Sequence, residues 1–289
     1  MASLNKREMA LRTMYQHHGI LHFQNMYSQS TLTKWNRVLD PVFKRLALQA
    51  RSYVKPDELV ELGILEEVMC KRLLNVISVL DPCPIFLHCH CFEIGGNCDA
   101  SLTDFHELNG WHRDTSDPSV RSVRDCRPCS IYIYLSDVKS SDFGSFEVVP
   151  RYDKGPLKSN MNSCNITGDK GTCFLWNRDL YHRPNINRSA MKQRILKLSI
   201  QTNGWANSQI QQSEFRHALA ILGKNNPALA YLLGSHFGNN LATTTMPYTR
   251  TGDLPRIKPI DCSEKTKVPT KAEKMLRRIK YQFDKALGF

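Results

Sequence analysis

Between Leu32 and Ala50 the apolar residues Trp35, Val38, Leu39, Val42, Phe43 and Leu46 recur every three or four positions, which puts them on one face of a helix. The pattern predicts an amphipathic helix from an N-cap at Ser28 or Ser30 to about Arg51. Before it, residues 4–17 predict a short helix ended by Gly19, then a strand at Ile20–Phe23. After it, Pro56 opens a helical stretch broken near Gly63. Ile64, Leu65, Val68, Met69, Leu73, Val76, Ile77 and Leu80 then predict one more helix, closing before Asp81-Pro82.

The texture changes at Pro84. Ile85–Ile94 reads as a strand stopped by Gly95-Gly96, and further strands are predicted at Cys129–Leu135, Phe143–Val149, Gly171–Trp176, from Leu180 onward, and at Gln193–Gln201. Polar loops at 97–110 and 115–127 and a turn at 136–142 separate them. Helical periods return at 214–222 and 227–233. Residues 238–268 look irregular, and 271–287 predict a basic amphipathic helix. Short strands between helical ends predict a mainly β fold, an antiparallel sandwich or barrel under a helical cover. One domain is expected over 1–289, with a helical leader 1–83, a β core 84–204 and a C-terminal helical region 205–289.

Composition adds three constraints. No apolar run approaches the roughly 18 residues needed to span a bilayer, and the N-terminus lacks the apolar core of a secretion signal. A cytoplasmic protein with its ten cysteines reduced is therefore the expectation. The net charge of +12 favours anionic partners without choosing among nucleic acid, acidic lipid and charged metabolites.

The candidate chemistry gathers at Trp111-His112-Arg113-Asp114 and at His182. His112 and Asp114 are two apart, so an extended segment sends both side chains to one face. With His182 they make two imidazoles and one carboxylate, a set suited to a facial Fe(II) site with open positions. Arg194, twelve residues beyond His182, is placed to clamp a dicarboxylate. His88-Cys89-His90-Cys91 has the residues of a zinc site, but on a strand the histidines share one face and the cysteines the other, so the four cannot surround one ion. The cysteines are expected to pack as small apolar groups, and His88 or His90 to offer a polar contact inside the barrel. Cys126-x-x-Cys129 has redox spacing but lacks a second pair or a following helix, and is read as incidental. Tyr132 and Tyr134 share a face, either packing on the sheet or turning a phenol toward a co-substrate. Trp111 and Trp176 are read as core or pocket wall rather than catalytic. Arg183, with Arg113, Arg121, Arg124, Arg127 and Arg178, is a candidate contact for an anionic substrate.

Around these residues runs a longer series. Tyr134-Leu-Ser-Asp-Val138 is followed by Gly144-Ser-Phe-Glu-Val-Val-Pro150, then Gly168-Asp169, His182, Asn187-Arg-Ser189 and Arg194. From about Asn109 to Thr202 it resembles the phytanoyl-CoA dioxygenase-like family of Fe(II)/2-oxoglutarate oxygenases, with Arg151-Tyr152 in place of that family's Gly-Ser after the proline. The resemblance implies a double-stranded β-helix, the jelly-roll or cupin-like core. It implies iron on His112, Asp114 and His182, and 2-oxoglutarate with its far carboxylate on Arg194. Tyr132, Tyr134, His88 and His90 are then candidate contacts to co-substrate or substrate. The reaction implied consumes O2, releases succinate and CO2, and hydroxylates or otherwise oxidises a small, anionic or lipid-linked metabolite. The carboxylate ligand favours oxidation over halogenation. Residues 271–289 would pack on the domain or lie on an anionic membrane surface, making the protein membrane-peripheral. The rival reading, a non-enzymatic basic module for nucleic acid or acidic membrane, accounts for the charge but not for the ordered ligands. The chain also lacks the interleaved aromatic and basic motif of specific nucleic-acid binding.

Overall fold

The computed structural model describes residues 3–46, 51–98, 110–114, 129–151, 162–202, 217–222, 225–234 and 246–263. The first helix, α1 (Lys6–His18), starts in a capping box. Asn5 accepts from the Glu8 amide while the Glu8 carboxylate accepts from the Asn5 amide, and Gly19 at φ 72° ends the helix in the left-handed region. Next come β1 (Ile20–Gln24) and α2 (Gln29–Arg45), capped by Ser28.

The helix predicted to reach Arg51 ends earlier. Ser52 Oγ donates to the Leu46 carbonyl, and Arg51–Val54 is a strand, β2, on the edge of a sheet. After α3 (Pro56–Glu61), the single helix predicted over 64–80 is two, α4 (Ile64–Val68) and α5 (Lys71–Leu80). The break falls where the Tyr27 hydroxyl donates to the Val68 carbonyl and Cys70 is extended.

The strands that follow are β3 (Pro84–Ile94), β4 (Cys129–Tyr134), β5 (Phe146–Val148), β6 (Cys164–Ile166), β7 (Cys173–Asn177), β8 (His182–Pro184) and β9 (Gln193–Thr202). Residues 217–222 are helical, and a short helix, α6 (Pro227–Leu232), and β10 (Arg256–Lys258) follow. Neither β6 nor β10 was predicted. Each is only three residues long, too short for a period to register.

Two antiparallel sheets form the core. One has the order β10-β1-β7-β4-β9-β3-β2, the other β6-β5-β8. The leader is therefore not only helical, since it supplies β1 and β2 to the large sheet. The faces of that sheet differ. Leu196, Leu198 and Ile200 of β9 and Cys89 and Cys91 of β3 join an apolar cluster with Leu39, Phe43, Leu73 and Ile77 of the helices. Phe92, Tyr132, Phe174, Trp176 and Ile195 face the other way, onto Phe146, Val148 and Ile166 of the small sheet. This is a mainly β jelly roll with helices on one side.

One expectation fails. Cys164, on β6, is disulfide-bonded to Cys262, just beyond β10, so the thiols are not all reduced. Among the described residues no helix is long and apolar enough to cross a membrane. The basic stretch 271–289, Arg121, Arg124, Arg127 and Cys126 lie outside the described residues.

Candidate metal centre and its cavity

His112 and His182 meet across a two-stranded bridge, each backbone amide donating to the other's carbonyl at 3.0 Å. Their rings lie 4.2 Å apart. His112 Nδ1 is 2.9 Å from the Gly110 carbonyl and His182 Nδ1 is 2.9 Å from the Leu180 carbonyl. A carbonyl only accepts, so each Nδ1 carries a proton, and in the neutral imidazole the lone pair then falls on Nε2, the tautomer of a metal ligand.

Asp114 completes the set. Its amide donates to the Arg178 carbonyl, and its Oδ1 lies 3.6 Å from His112 Nε2 and 3.4 Å from His182 Nε2. Its Oδ2 accepts from Arg178 Nε at 2.9 Å and stands 3.8 Å from Lys197 Nζ. One oxygen is thus held by cations and the other faces the imidazoles. The three ligand atoms lie within 4.8 Å of one another. Burial opposes the charge on Asp114, but His182, Lys197 and Arg178 outweigh it and hold the carboxyl well below the usual carboxylate range. Burial, then the neighbouring His182, brings His112 down to about 4, so its imidazole is neutral and ready to coordinate.

The triad opens into a cavity of about 260 Å³ between the sheets. The strand register orders its wall. Tyr132, Lys197 and His90 form one row across β4, β9 and β3. Ile195, Phe92 and Tyr53 form the next across β9, β3 and β2, and Gln193, Ile94 and Arg51 the third. Phe146 and Pro184 of the small sheet face them.

The sequence-predicted residues fall into two groups. His112, Asp114, His182, Tyr132, His88 and His90 all line this cavity. His88 and His90 stack at 5.2 Å, and His88 Nε2 hydrogen-bonds the Ser199 hydroxyl. Burial first, then Lys197, lowers His90 to about 3 and His88 to about 2, so both are neutral polar groups. Cys89 and Cys91 point to the helical side, away from them.

Arg194, Tyr134, Trp111 and Arg183 are not brought to the cavity wall. Arg194 shares its strand face with Leu196 and Leu198 and turns under α2. There Glu93 accepts from its Nε and Nη2, and Asn36 and Asp40 accept from its Nη1 at 2.7 and 2.9 Å. This corrects its placement as a clamp, because its charge is already met on the far side of the sheet. The Tyr134 hydroxyl donates to the Ile166 carbonyl and accepts from the Phe146 amide, bridging the two sheets. Arg183 covers the Trp111 ring at 4.6 Å and donates to Glu147 at 2.7 Å. The sequence reading missed the two cations that do face the cavity, Lys197 and Arg51. For Lys197 the signal was available in the alternation of β9. Burial lowers this ammonium to about 8 against the opposing pull of Asp114.

No family model matches the chain, and no curated protein does. Solved structures match in fold. SnoN, a non-haem alpha-ketoglutarate-dependent epimerase from nogalamycin biosynthesis, superposes with a TM-score of 0.51 at 14% identity, over 68% of this chain and 83% of its own. HygX from Streptomyces hygroscopicus, solved with nickel and 2-oxoglutarate, gives 0.53 at 12% identity, over 69% and 88%. AviO1 from Streptomyces viridochromogenes Tue57 gives 0.51 at 14% identity, over 70% and 96%. At such identities the likeness is one of fold. The fold is shared with a 2-oxoglutarate-dependent epimerase and with HygX, and the likeness does not single out the phytanoyl-CoA dioxygenase-like branch.

Proposed function

We propose that the chain is a non-haem Fe(II)/2-oxoglutarate-dependent oxygenase acting on a small molecule. One observation carries this reading: His112, Asp114 and His182 converge at the edge of a jelly-roll cavity with both imidazole tautomers set for coordination. Two imidazole nitrogens and one carboxylate oxygen on one side of an ion leave its other positions open, which suits Fe(II) better than a closed structural site. The solved HygX, with nickel and 2-oxoglutarate in the same fold, supports the cofactor pair.

When bound, iron and 2-oxoglutarate supply O2-driven oxidation of a C–H bond, coupled to decarboxylation of the co-substrate to succinate and CO2. The chain's own residues do the rest. His112 Nε2, His182 Nε2 and Asp114 Oδ1 would hold the ion. Arg178 and Lys197 keep Asp114 ionised and bias it to bind through one oxygen. Phe146 and Trp176, at 5.3 and 4.2 Å from the His182 ring, form a dry wall beside it. Neutral His88 and His90 offer hydrogen bonds to a substrate, and Arg51 and Lys197 favour an anionic one. With the carboxylate ligand in place, hydroxylation is the outcome this reading favours.

The test is metal analysis together with succinate formation from 2-oxoglutarate, with Fe(II), ascorbate and O2 present. Stoichiometric Fe(II) binding and substrate-independent turnover at a slow basal rate are expected. A chain that neither binds Fe(II) nor turns over 2-oxoglutarate is not an oxygenase.

A further inference from the structure

With Arg194 engaged under α2, the far carboxylate of a bound keto diacid needs another partner. We infer that Arg51, from the leader strand β2, is that partner, so that the leader completes the co-substrate site. This rests on the oxygenase reading above.

Four observations lead to Arg51. Its side chain lines the cavity from the third row, with Ile94 and Gln193, two rows along the sheet from Lys197. Its guanidinium carbon sits 4.1 Å over the Phe92 ring and 5.2 Å from the Tyr53 ring centre, cation–π contacts that hold the charge at the cavity wall. Its Nε is buried and has no hydrogen-bond partner among the described residues. A buried donor without an acceptor is costly and marks a place where one is expected. Finally, no described carboxylate forms an ion pair with it, whereas Arg194 has Glu93 and Asp40, and Lys197 lies beside Asp114.

Charge gives the same answer. Among the described cavity residues Arg51 and Lys197 are cationic and Asp114 is the one anion, itself shared with Arg178. A divalent ion on the triad would leave this space strongly positive. A dianion reaching from the ion toward Arg51 restores the balance, and a planar guanidinium can take a carboxylate through two parallel hydrogen bonds, which an ammonium cannot. Lys197 is less suited, because its Nζ is held at the metal's own ligand.

The experiment is calorimetric titration of the full chain loaded with Ni(II), which binds the keto acid without turnover. Two ligands are compared, 2-oxoglutarate and 2-oxopentanoate, which share the keto acid end but differ in the far carboxylate. The wild-type chain is expected to prefer 2-oxoglutarate by about 100-fold. Arg51→Met should bring the two ligands to within about threefold by weakening 2-oxoglutarate alone, with Ni(II) and 2-oxopentanoate affinities kept. Arg51→Lys should fall between. A misfolded variant would lose Ni(II) as well, and Arg51→Lys then carries the comparison. The assignment is overturned if Arg51→Met keeps the wild-type preference, or if Lys197→Met abolishes it while Arg51→Met does not. Absence of nickel-dependent binding of either keto acid by the wild-type chain overturns the oxygenase reading itself, and this assignment with it.

Discussion

Asp114 has two jobs, one on each oxygen. Oδ1 faces His112 and His182, while Oδ2 answers Arg178 and Lys197. Removing it has two separable consequences. Asp114→Ala is expected to abolish tight metal binding, read by calorimetry with Fe(II) or Ni(II). It also leaves Arg178 and Lys197 close together in a buried place without their anion. The metal-free variant should therefore be less stable than metal-free wild type by about 3 kcal/mol, read from urea unfolding with a chelator present. Equal stability of the two metal-free proteins would mean that the cations are satisfied elsewhere. The triad was legible in the sequence because a two-residue spacing on an extended segment settles which side chains share a face. The same parity rule, applied to β9, would have corrected Arg194. Leu196, Leu198 and Ile200 mark its even positions as the face under the helices, and Arg194 is even, whereas Gln193, Ile195 and Lys197 are odd and face the cavity. What misled was chain distance from His182, which says nothing about which face a residue takes.

At the scale of elements, the Arg194 cluster is a fastener between α2 and the large sheet. Glu93 on β3 and Arg194 on β9 are register partners, and Asn36 and Asp40 on α2 close over them. Glu93 is buried and, among the described residues, keeps only Lys192, from an exposed side chain, if Arg194 is removed. Arg194→Ala is thus expected to lower stability by about 3 kcal/mol, with part of the loss recovered when Glu93 is also neutralised as Glu93→Gln. Affinity for 2-oxoglutarate should stay within about threefold of wild type, in contrast to Arg51→Met. A large loss of 2-oxoglutarate affinity with unchanged stability would return Arg194 to the role of clamp. The strand that carries Arg51 was missed for a related reason. Four residues give only two alternations, and the helical period running from Leu32 to Leu46 overwrites them. Only the pairing of β2 with β3, a contact distant in sequence, makes these residues a strand.

At the scale of the molecule, the change from helical to alternating periods at Pro84 announces the jelly roll, but not the parts that close it. β1 and β10 add to the large sheet beyond β7, and the disulfide between Cys164 and Cys262 ties the end of the described chain to the small sheet. The partners are 98 residues apart, and nothing in the spacing of ten cysteines selects that pair. Cys262→Ser, or reduction, is expected to lower stability by about 2–4 kcal/mol, read from thermal unfolding with and without reductant, while Ni(II) binding persists. An unshifted transition would show that β10 is held by its pairing with β1 alone.

That outer part of the sheet also contributes to the response to acid. His22 on β1 is buried between β10 and β7, opposite Lys258 and Phe174. Burial, then the charge of Lys258, lowers it to about 4, from the ordinary value of 6.5 that it regains on unfolding. Between these values the unfolded chain binds a proton that the native chain refuses. Stability is therefore full above pH 6.5 and falls as the pH drops toward 4, by up to about 1.4 kcal/mol per unit from this one group. His88 and His90, lowered by burial on the cavity wall, act in the same direction. Urea midpoints of the metal-free protein, compared at pH 7.5 and 5 (about one unit above and halfway into the window), should show this loss. In His22→Gln, which cannot take up the proton, the difference between the two midpoints should shrink by the share of His22. If the variant loses as much stability in acid as wild type, the loss belongs to the cavity histidines, and binding of metal and keto acid should then be what suppresses it.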